Sequence, residues 1–386
     1  MIDTDFIVIG AGIAGASFAY EVAESASVVV LERELHAGYH STGRSAALFS
    51  EIYGNETIRA LSRASREFLV YPDREFCDAD LLQPRGVLYI GTAQQRSAVQ
   101  ALHYAPDVSE YLEGLSTQQA LAFVPVLRPE YAAHCLYERA AMDIEAATLH
   151  QSYIKGLRRR GGRIVANCEI SAIESSAERW SVKLGNETFR APVLVNAAGA
   201  WADQIASLAG VSPIGLEPRR RTAVLIQSPT GRRIERWPMV MDIEESFYFK
   251  PDAGKLLLSP ADESPCAPCD AQPEELDVAI AVDRVERATT LTIRHVSHQW
   301  AGLRTFAPDR SPVVGYDPTH RGFFWLAGQG GYGIQTAPAL SRVAAALAMH
   351  RPIPPDIREQ GVQPHALSPD RLLDNFTKMC DSLRLQ

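Results

Sequence analysis

Three glycines near the start of the chain are spaced to hold a dinucleotide. They are Gly10, Gly12 and Gly15 in the stretch GAGIAG. In such a turn the first glycine permits a tight bend, the second lets a pyrophosphate approach the backbone, and the third lets a helix pack closely on a strand. The pyrophosphate then rests at the helix N-terminus, where free N–H groups and the helix dipole favour an anion. The motif alone does not separate FAD from NAD.

An acidic residue comes at the end of the second predicted strand, where the ribose of a bound dinucleotide would lie. Phe6–Ile9 and Val28–Leu31 are short apolar runs typical of buried parallel strands, and a helix of small and apolar residues between them ends near Glu24. Glu32 comes directly after the second run, 17 residues beyond Gly15. A carboxylate there accepts from ribose hydroxyls and disfavours a 2′-phosphate, so NADP is not expected. The alternative, a tight strand–helix turn without a ligand, would not explain the acid.

Two later segments favour FAD. GYHSTGRS (residues 38–45) is rich in small hydrogen-bonding side chains, and VLVNAAGAW (193–201) is a buried strand that ends in very small residues. With GQGGYG (328–333), they resemble the glycine/D-amino-acid oxidase family of flavoproteins. Within that family the chain most resembles the bacterial D-arginine dehydrogenases, between about Asp5 and Ser368. The shared motifs are YHSTGRSAA, VNAAGAW, ESFY, TLTIR, WAGLR and QGGYGIQT.

The resemblance implies non-covalently bound FAD, with the substrate between the flavin and an antiparallel sheet. A helix starting near Ile334 would place its N-terminus beside the flavin, where it stabilises negative charge on the reduced ring. The residues that the resemblance assigns to the cofactor are Gly10, Gly12, Ala14, Gly15, Glu32, Arg33, Ser41, Thr42, Ser45, Ala46, Ala198, Gly199, Trp201, Gly330, Gly331, Tyr332, Gly333, Ile334, Gln335 and Thr336.

The substrate residues follow from chemistry and from the resemblance together. An α-amino acid needs its carboxylate fixed so that its Cα–H faces the flavin, and an arginine does this through two parallel hydrogen bonds. Arg304 and Arg221 match the family's carboxylate-binding arginines, and Tyr248 and Tyr53 match hydroxyls of the same pocket. A structural salt bridge is the alternative for each arginine, and two more arginines directly precede Arg221. Around the substrate the resemblance places Leu48, Val87, Met239, Gly331 and Gln335.

Two of these positions depart from the D-arginine dehydrogenases. Val87 stands where those enzymes have a glutamate that recognises the cationic side chain, and Leu48 stands where they have a histidine. A buried cation without its acidic partner is costly. The sequence therefore predicts a preference for neutral or apolar D-amino acids over D-arginine.

The predicted reaction is FAD-dependent oxidative deamination of a D-amino acid. A hydride passes from Cα to flavin N5, and the 2-imino acid hydrolyses to a 2-oxo acid and ammonia. Two alternatives stay open: a 2-hydroxy acid or an N-methyl amino acid such as sarcosine as the substrate, and a flavin- or NAD-binding protein without turnover. The sequence sets neither the electron acceptor, oxygen or a quinone, nor the oligomeric state.

Charge and hydrophobicity exclude other classes of function. The 386 residues include 38 basic and 46 acidic side chains, a net charge of −8, so nucleic acid is not expected as a partner. No apolar stretch is long enough for a signal peptide or a membrane span. This predicts a cytoplasmic protein and leaves open peripheral contact with the inner face of the membrane. Cys266 and Cys269 form a CxxC without a second pair, which favours reduced thiols over a metal site.

The whole pattern predicts an α/β flavoprotein of two domains, in which a mainly antiparallel substrate domain is inserted into a Rossmann-like FAD-binding domain. The FAD-binding domain would comprise residues 1–80, 145–210 and 310–360, the substrate domain residues 81–144 and 211–309, and a C-terminal tail residues 361–386. Further helices are predicted over 58–69, 92–104, 146–160 and 334–350. Further strands are predicted over 87–90, 163–167, 169–174, 180–184, 193–195, 222–227, 246–250, 255–259, 290–294, 300–306 and 323–327.

Overall fold

The computed structural model describes residues 1–176, 178–229, 231 and 233–372. Its strands are β1 (Ile2–Asp3), β2 (Phe6–Ile9), β3 (Val28–Leu31), β4 (Leu48–Phe49), β5 (Leu82–Pro84), β6 (Val87–Gly91), β7 (Leu112–Leu115), β8 (His134–Glu138), β9 (Met142–Ile144), β10 (Arg163–Val165), β11 (Ala172–Ser175), β12 (Trp180–Leu184), β13 (Glu187–Ala191), β14 (Val193–Asn196), β15 (Glu217–Gln227), β16 (Met239–Asp242), β17 (Tyr248–Asp252), β18 (Lys255–Ser259), β19 (Ser264–Pro265), β20 (Val296–Phe306), β21 (Val313–Tyr316), β22 (Phe323–Ala327) and β23 (Gln329–Gly330). Its helices are α1 (Ile13–Val22), α2 (Glu56–Val70), α3 (Arg96–His103), α4 (Thr117–Phe123), α5 (Ala146–Arg159), α6 (Ala202–Leu208), α7 (Glu275–Ala288), α8 (Gly333–Ala348) and α9 (Pro355–Glu359).

The first sheet has six strands in the order β10-β3-β2-β14-β22-β21. Its neighbours run parallel except β21, which pairs antiparallel with β22. Strands β2 and β3 are buried along their whole length, as expected for strands covered on both faces. Helices α1 and α8 pack on one face, and the four-stranded sheet β1-β13-β12-β11 packs on the other. The parallel strands therefore end at one shared edge, the place where α/β sheets bind ligands.

The second sheet has ten strands and is almost wholly antiparallel. Its order is β23-β20-β15-β18-β17-β16-β6-β8-β7, with β19 beside β15, and among the described strands its one parallel pair is β16 with β6. One face packs under α4 and α7 against Leu88, Val240 and Phe249. The other face carries Tyr89 and Met239 and borders a cavity. The predicted α/β fold with a large, mainly antiparallel second sheet is confirmed.

The predicted strand over residues 290–294 is wrong. These residues form the loop between α7, a helix that the sequence analysis missed, and β20. Their alternation of polar and apolar side chains imitates a strand, but only Thr290 N bonds a neighbouring backbone, at Val126 O, and two further N–H groups bond side chains. Leu291 N donates to Thr289 Oγ1 at 3.2 Å, and Ile293 N donates to Glu286 Oε1 at 2.6 Å.

Smaller differences lie at element ends. The helix predicted over 92–104 divides into a 3-10 turn, Ala93–Gln95, and α3. The strand predicted over 169–174 begins only at Ala172, as β11. In the tail, α9 and a 3-10 turn at Pro364–Ala366 are described, and residues 373–386 lie outside the described part of the chain.

None of the described helices is both long enough and apolar enough to span a bilayer.

Candidate active site

A cavity of about 580 Å³ separates the ligand edge of the first sheet from the open face of the second. Most residues predicted for the site line it: Gly10, Gly12, Ala14, Glu32, Arg33, Ser41, Thr42, Ser45, Ala46, Leu48, Tyr53, Ala198, Gly199, Trp201, Arg221, Met239, Tyr248, Arg304, Gly330, Gly331, Gly333, Ile334 and Gln335. Four predicted residues are not part of the lining: Gly15, Val87, Tyr332 and Thr336. The structure thus brings together side chains from distant parts of the chain.

The glycine turn joins β2 to α1 and leaves no room for a side chain at Gly10 or Gly15. Gly10 has a φ of 100°, and a Cβ there would lie 2.5 Å from the carbonyl oxygen of Ala197. A Cβ on Gly15 would lie 1.9 Å from the carbonyl oxygen of Gly10, so Gly15 packs helix on strand. His150 of α5 supports the turn, because its Nε2 lies 2.9 Å from the carbonyl oxygen of Ala11 and must donate to it. Burial lowers the pKa of His150, which keeps the ring neutral.

Glu32 marks one end of the cavity, at the carboxyl end of β3. Its carboxylate accepts from the backbone N–H of Ala11 at 2.7 Å and from that of Glu34 at 2.9 Å. A carboxylate has about four acceptor positions, so capacity remains for a ligand. Nearby, Arg33 Cζ lies 4.4 Å from the centre of the Trp201 ring. This end offers a fixed anion that suits ribose hydroxyls.

The loop over residues 41–46 connects the two sheets along the cavity. Ser41 Oγ donates to a carbonyl of β20 at 2.7 Å. Thr42 Oγ1 accepts from the backbone N–H of Ile13, in the first turn of α1, at 2.9 Å. Trp300 Nε1 on β20 donates to the carbonyl oxygen of Arg44 at 3.0 Å. The position of this loop therefore depends on both sheets.

Arg304 lies at the other end of the cavity, on β20. Its Nη1 donates to Tyr53 Oη at 3.2 Å, and no described acidic group pairs with it. Burial lowers the pKa of the guanidinium, but the phenols of Tyr53 and Tyr248 raise it above its ordinary value, so the group stays a cation. The Tyr53 ring packs edge-on against Tyr332 with 5.0 Å between centroids. At Gly331 a Cβ would lie 2.6 Å from Arg304 Cζ, so this glycine makes space for the guanidinium.

Arg221 also reaches the cavity, but its guanidinium is engaged elsewhere. Nε donates to the carbonyl oxygen of Asp262 at 2.8 Å, and Nη2 pairs with Glu263 Oε1 at 3.2 Å. Glu263 pairs in addition with Arg310 at 3.0 Å. The structural salt bridge considered for this residue therefore exists. Of the two arginines, Arg304 is the cation whose charge is left for a ligand.

The wall between these arginines and the first sheet is largely apolar. Leu48, Met239 and Met241 line it. Val87 is fully buried within the second sheet, and Tyr89, two residues further along β6 on the same face, reaches the cavity in its place. The sequence analysis missed Tyr89, although the two-residue repeat of a strand would have indicated it.

A buried acid lies directly behind this wall. Glu138 on β8 is 1% exposed and is the register partner of Val87 on β6. Ser50 Oγ donates to its carboxylate at 2.8 Å, and Tyr89 Oη donates to it at 3.3 Å. Burial raises the pKa of Glu138 to about 7, although the hydrogen bonds from Ser50 and Tyr89 lower it. Ser50 and Tyr89 both line the cavity.

Comparison with known proteins agrees with this geometry. Residues 5–347 match the family described as DAO, FAD dependent oxidoreductase. The chain belongs to this family. The protein is therefore an FAD-dependent oxidoreductase, and FAD is its cofactor.

Relatives in the DAO family cover most of the chain. The glycine oxidase of Geobacillus kaustophilus is 23% identical over 356 residues, 89% of this chain and 92% of that protein. Its crystal structure superposes with a TM-score of 0.80 at 21% identity, covering 91% of this chain and 96% of that one. The L-α-glycerophosphate oxidase of Mycoplasma pneumoniae, solved with FAD bound, gives a TM-score of 0.78 at 18% identity, covering 90% and 95%. Human mitochondrial sarcosine dehydrogenase is 24% identical over 345 residues, 82% of this chain but 36% of that protein.

The cavity of this DAO family member is lined by further residues that the sequence analysis missed. Cys168, Glu169 and Ile170 line the Glu32 end, in the segment after β10. Because β10 runs parallel beside β3, its carboxyl end must lie at the same edge, and this rule would have indicated them. The position of Glu138 had no such local signal, because it depends on the register between β8 and β6.

The CxxC pair lies outside this cavity. The Sγ atoms of Cys266 and Cys269 are 3.5 Å apart, and Asp270 next to them pairs with Arg44 of the 41–46 loop. Within the described residues, no group of three or more His, Cys, Asp and Glu side chains is arranged to hold a metal ion.

Proposed function

We propose that this protein catalyses the oxidative deamination of neutral or apolar D-amino acids. The product is a 2-imino acid, which hydrolyses to a 2-oxo acid and ammonia. The observation that carries the proposal is Arg304, a cation without a described acidic partner, in the same cavity as the glycine turn of the cofactor. Beside Tyr53 and Tyr248 it is suited to hold a substrate carboxylate.

The residues around the glycine turn and the start of α8 are assigned to FAD. The turn Gly10–Gly12 and the N-terminus of α1 hold the pyrophosphate, and Glu32 holds the ribose. The loop over residues 41–46 and the segment 330–336 border the flavin ring. The start of α8 then directs its N–H groups toward the ring, where they stabilise negative charge. Bound FAD supplies the hydride acceptor.

The residues around Arg304 are assigned to the substrate carboxylate. Arg304 binds the carboxylate, Tyr53 fixes the orientation of the guanidinium, and Tyr248 lies on the same wall. Because Arg304 has a described hydrogen bond to Tyr53 alone, its other N–H groups are available for two-pronged binding. Holding the reacting Cα–H in position in this way contributes up to about 7–11 kcal/mol to catalysis. Arg221 keeps Glu263 in place and adds positive charge to the same region.

The side chain of the substrate lies against the apolar wall. Leu48, Met239 and Met241 form an apolar wall, and Val87 in the sheet behind it carries no charge. A cationic side chain would be desolvated there without a direct acidic partner, whereas an apolar one gains about 25 cal/mol per Å² buried. The D configuration comes from the resemblance to D-arginine dehydrogenases.

The test is anaerobic mixing of the yellow protein with D- and L-amino acids while the visible flavin band is followed. We expect D-leucine, D-methionine or D-phenylalanine to bleach the band faster than D-arginine does. Faster bleaching by D-arginine would overturn the assigned side-chain preference, and bleaching by L-amino acids alone would overturn the configuration. No bleaching by any amino acid would overturn the proposed reaction.

A second candidate is an N-methyl amino acid such as sarcosine, because human sarcosine dehydrogenase aligns with 82% of this chain. Sarcosine in the same assay separates the two substrates. Acid precipitation adds a second distinction, because a colourless pellet is expected for non-covalently bound FAD. A yellow pellet would show a covalent bond to the protein, for which Cys168 and His40 are the Cys and His side chains on the cavity wall.

A further inference from the structure

Glu138 is a buried carboxylate that the proposed function does not use. It is 1% exposed, and no described Lys, Arg or His forms an ion pair with it. A buried acid without a cation is costly, so such a group usually has a chemical task or a full set of hydrogen bonds. The carboxylate has donors from Ser50 and Tyr89 only among the described side chains.

Ser50 and Tyr89 connect this acid to the cavity. Ser50 Oγ lies 2.8 and 3.0 Å from the two carboxylate oxygens, and Tyr89 Oη lies 3.3 Å from one of them. Each hydroxyl has a single proton, which it donates to Glu138, so only lone pairs remain on its oxygen. One lone pair of Ser50 accepts from Ile52 N at 3.4 Å. Toward the cavity the wall therefore presents acceptors, which suit a protonated amine.

We propose that Ser50 and Tyr89 accept a proton from the ammonium group of the bound substrate and pass one to Glu138. The proposal rests on the proposed function, because hydride transfer from an amino acid requires the neutral amine. In the step one N–H bond breaks and an O–H bond forms on a hydroxyl, whose own O–H bond breaks as an O–H bond forms on the carboxylate. The ammonium becomes an amine, the carboxylate becomes a carboxylic acid, and no electrons leave either group. Glu138 touches no substrate atom and acts only through the hydroxyls of Ser50 and Tyr89.

The charges around Glu138 are compatible with this task. Burial raises its pKa to about 7 and the charge of Glu51 raises it further, whereas hydrogen bonds from Ser50, from Tyr89 and from the backbone of Glu51 lower it. Glu51 is itself paired with Arg66 of α2 at 2.7 Å. Burial also raises the pKa of Tyr89, and the neighbouring Glu138, Glu245 and Tyr53 raise it further, so its phenol stays protonated. An acid with a pKa near neutrality can both accept and release a proton.

The test measures anaerobic flavin reduction in the holoenzyme against pH, from about pH 5 to about pH 10. In the wild type the rate should rise through about pH 7, as Glu138 ionises. In Glu138→Gln this rise should disappear, with a rate about 100-fold lower near neutrality that recovers only where the amine loses its proton by itself. Glu138→Asp should restore part of the rise, and Tyr89→Phe and Ser50→Ala should each give a smaller loss.

Glu21→Gln is the matched control, because Glu21 near the end of α1 is also an acid whose pKa burial raises to about 7. Its pH profile should equal that of the wild type. A Glu138→Gln profile of wild-type shape, or a loss equal at every pH, would overturn the relay while amino-acid oxidation stands. A wild-type flavin that no amino acid reduces would instead overturn the proposed function and the relay with it. If Glu138→Gln fails to fold, wild-type profiles for both Tyr89→Phe and Ser50→Ala overturn the relay.

Discussion

The two ends of the cavity are built from different kinds of group. At the Glu32 end the ligand meets mainly a glycine turn and backbone N–H groups, two of which hold the Glu32 carboxylate, with side chains such as Trp201 and Cys168 around them. At the Arg304 end the wall consists of side chains that hydrogen-bond to one another. Arg304 donates to Tyr53, and Ser50 donates to Glu138.

This difference determines what each end tolerates. At Gly10 and Gly15 backbone packs directly on backbone, so an added Cβ would lie 2.5 or 1.9 Å from a carbonyl oxygen that cannot move aside. A side-chain surface can change its ligand by single substitutions, because strands β6, β8, β15 and β20 keep their positions beneath it.

The largest effect, loss of the cofactor on which all turnover depends, is expected for Gly10→Ala at the backbone end. Its φ of 100° costs an alanine about 1–2 kcal/mol, and the Cβ would lie 2.5 Å from the carbonyl oxygen of Ala197. We expect the purified protein to retain less than roughly a tenth of its FAD, measured by the ratio of visible to ultraviolet absorbance. Gly114→Ala is the control, since a Cβ there meets nothing within 4 Å. Full FAD content in both variants would contradict the assigned turn.

Next in size is Arg304→Met, which removes a charge from the side-chain end. A lost charge-assisted contact costs about 2–5 kcal/mol, so kcat/KM for an amino acid should fall roughly 100- to 1000-fold while FAD stays bound. Arg221→Met should cost less, about tenfold, because that guanidinium already pairs with Glu263. Equal losses in the two variants would show that both arginines bind the substrate.

Glu138 should reduce stability at neutral pH. Folding raises its pKa from 4.5 to about 7, so between these values the folded protein holds a proton that the unfolded chain has lost. Stability of the wild type therefore falls as pH rises from about 4.5 to 7, by roughly 3 kcal/mol, and stays lower above that range. The side-chain amide of the Glu138→Gln variant does not titrate. The free energy of unfolding of Glu138→Gln relative to the wild type should therefore rise by that amount between about pH 4 and about pH 8. Chemical denaturation of both proteins at both pH values tests this. A difference in unfolding free energy between them that is the same at both pH values would contradict it.

The smallest effect is expected for Gly331→Ala, where a Cβ would lie 2.6 Å from Arg304 Cζ. The guanidinium must shift, at a cost of about 1–3 kcal/mol, so the KM for amino acids should rise about tenfold. FAD content should stay normal, because the added group meets a side chain rather than the cofactor turn. A variant that loses FAD but keeps its KM would show that the added group acts on the flavin beside segment 330–336 and not on Arg304.

The sequence predicts the backbone end more fully than the side-chain end. Gly10 and Glu32 belong to one strand–turn–helix–strand unit, in which spacing along the chain fixes positions in space. Arg304 and Tyr53 came from the resemblance, because nothing local relates β20 to the segment after β4. Glu138 and Ser50 were missed for the same reason: their contact depends on strand register across distant segments.

The alternating pattern of residues 290–294 gave a wrong strand prediction because backbone N–H groups there bond to side chains. Residues 290–294 alternate like a strand, yet Glu286 Oε1 accepts from Ile293 N and leaves no ladder to form. The helix α7 was missed because only Val285 among its buried positions is a larger apolar residue, while the others are Asp277, Ala281 and Ala288, so the apolar periodicity is weak.

The order of strands in the first sheet affects how the chain is made. Strand β2 lies between β3 and β14, yet β14 begins only at Val193, far along the chain from Leu31. At a ribosome speed of about 5–20 residues per second, β2 waits roughly ten to thirty seconds for its second neighbour. During that time an apolar strand edge, FIVI, stays open to other chains. Slow synthesis or a missing chaperone should therefore lower the yield of folded protein more than substitutions on its surface do.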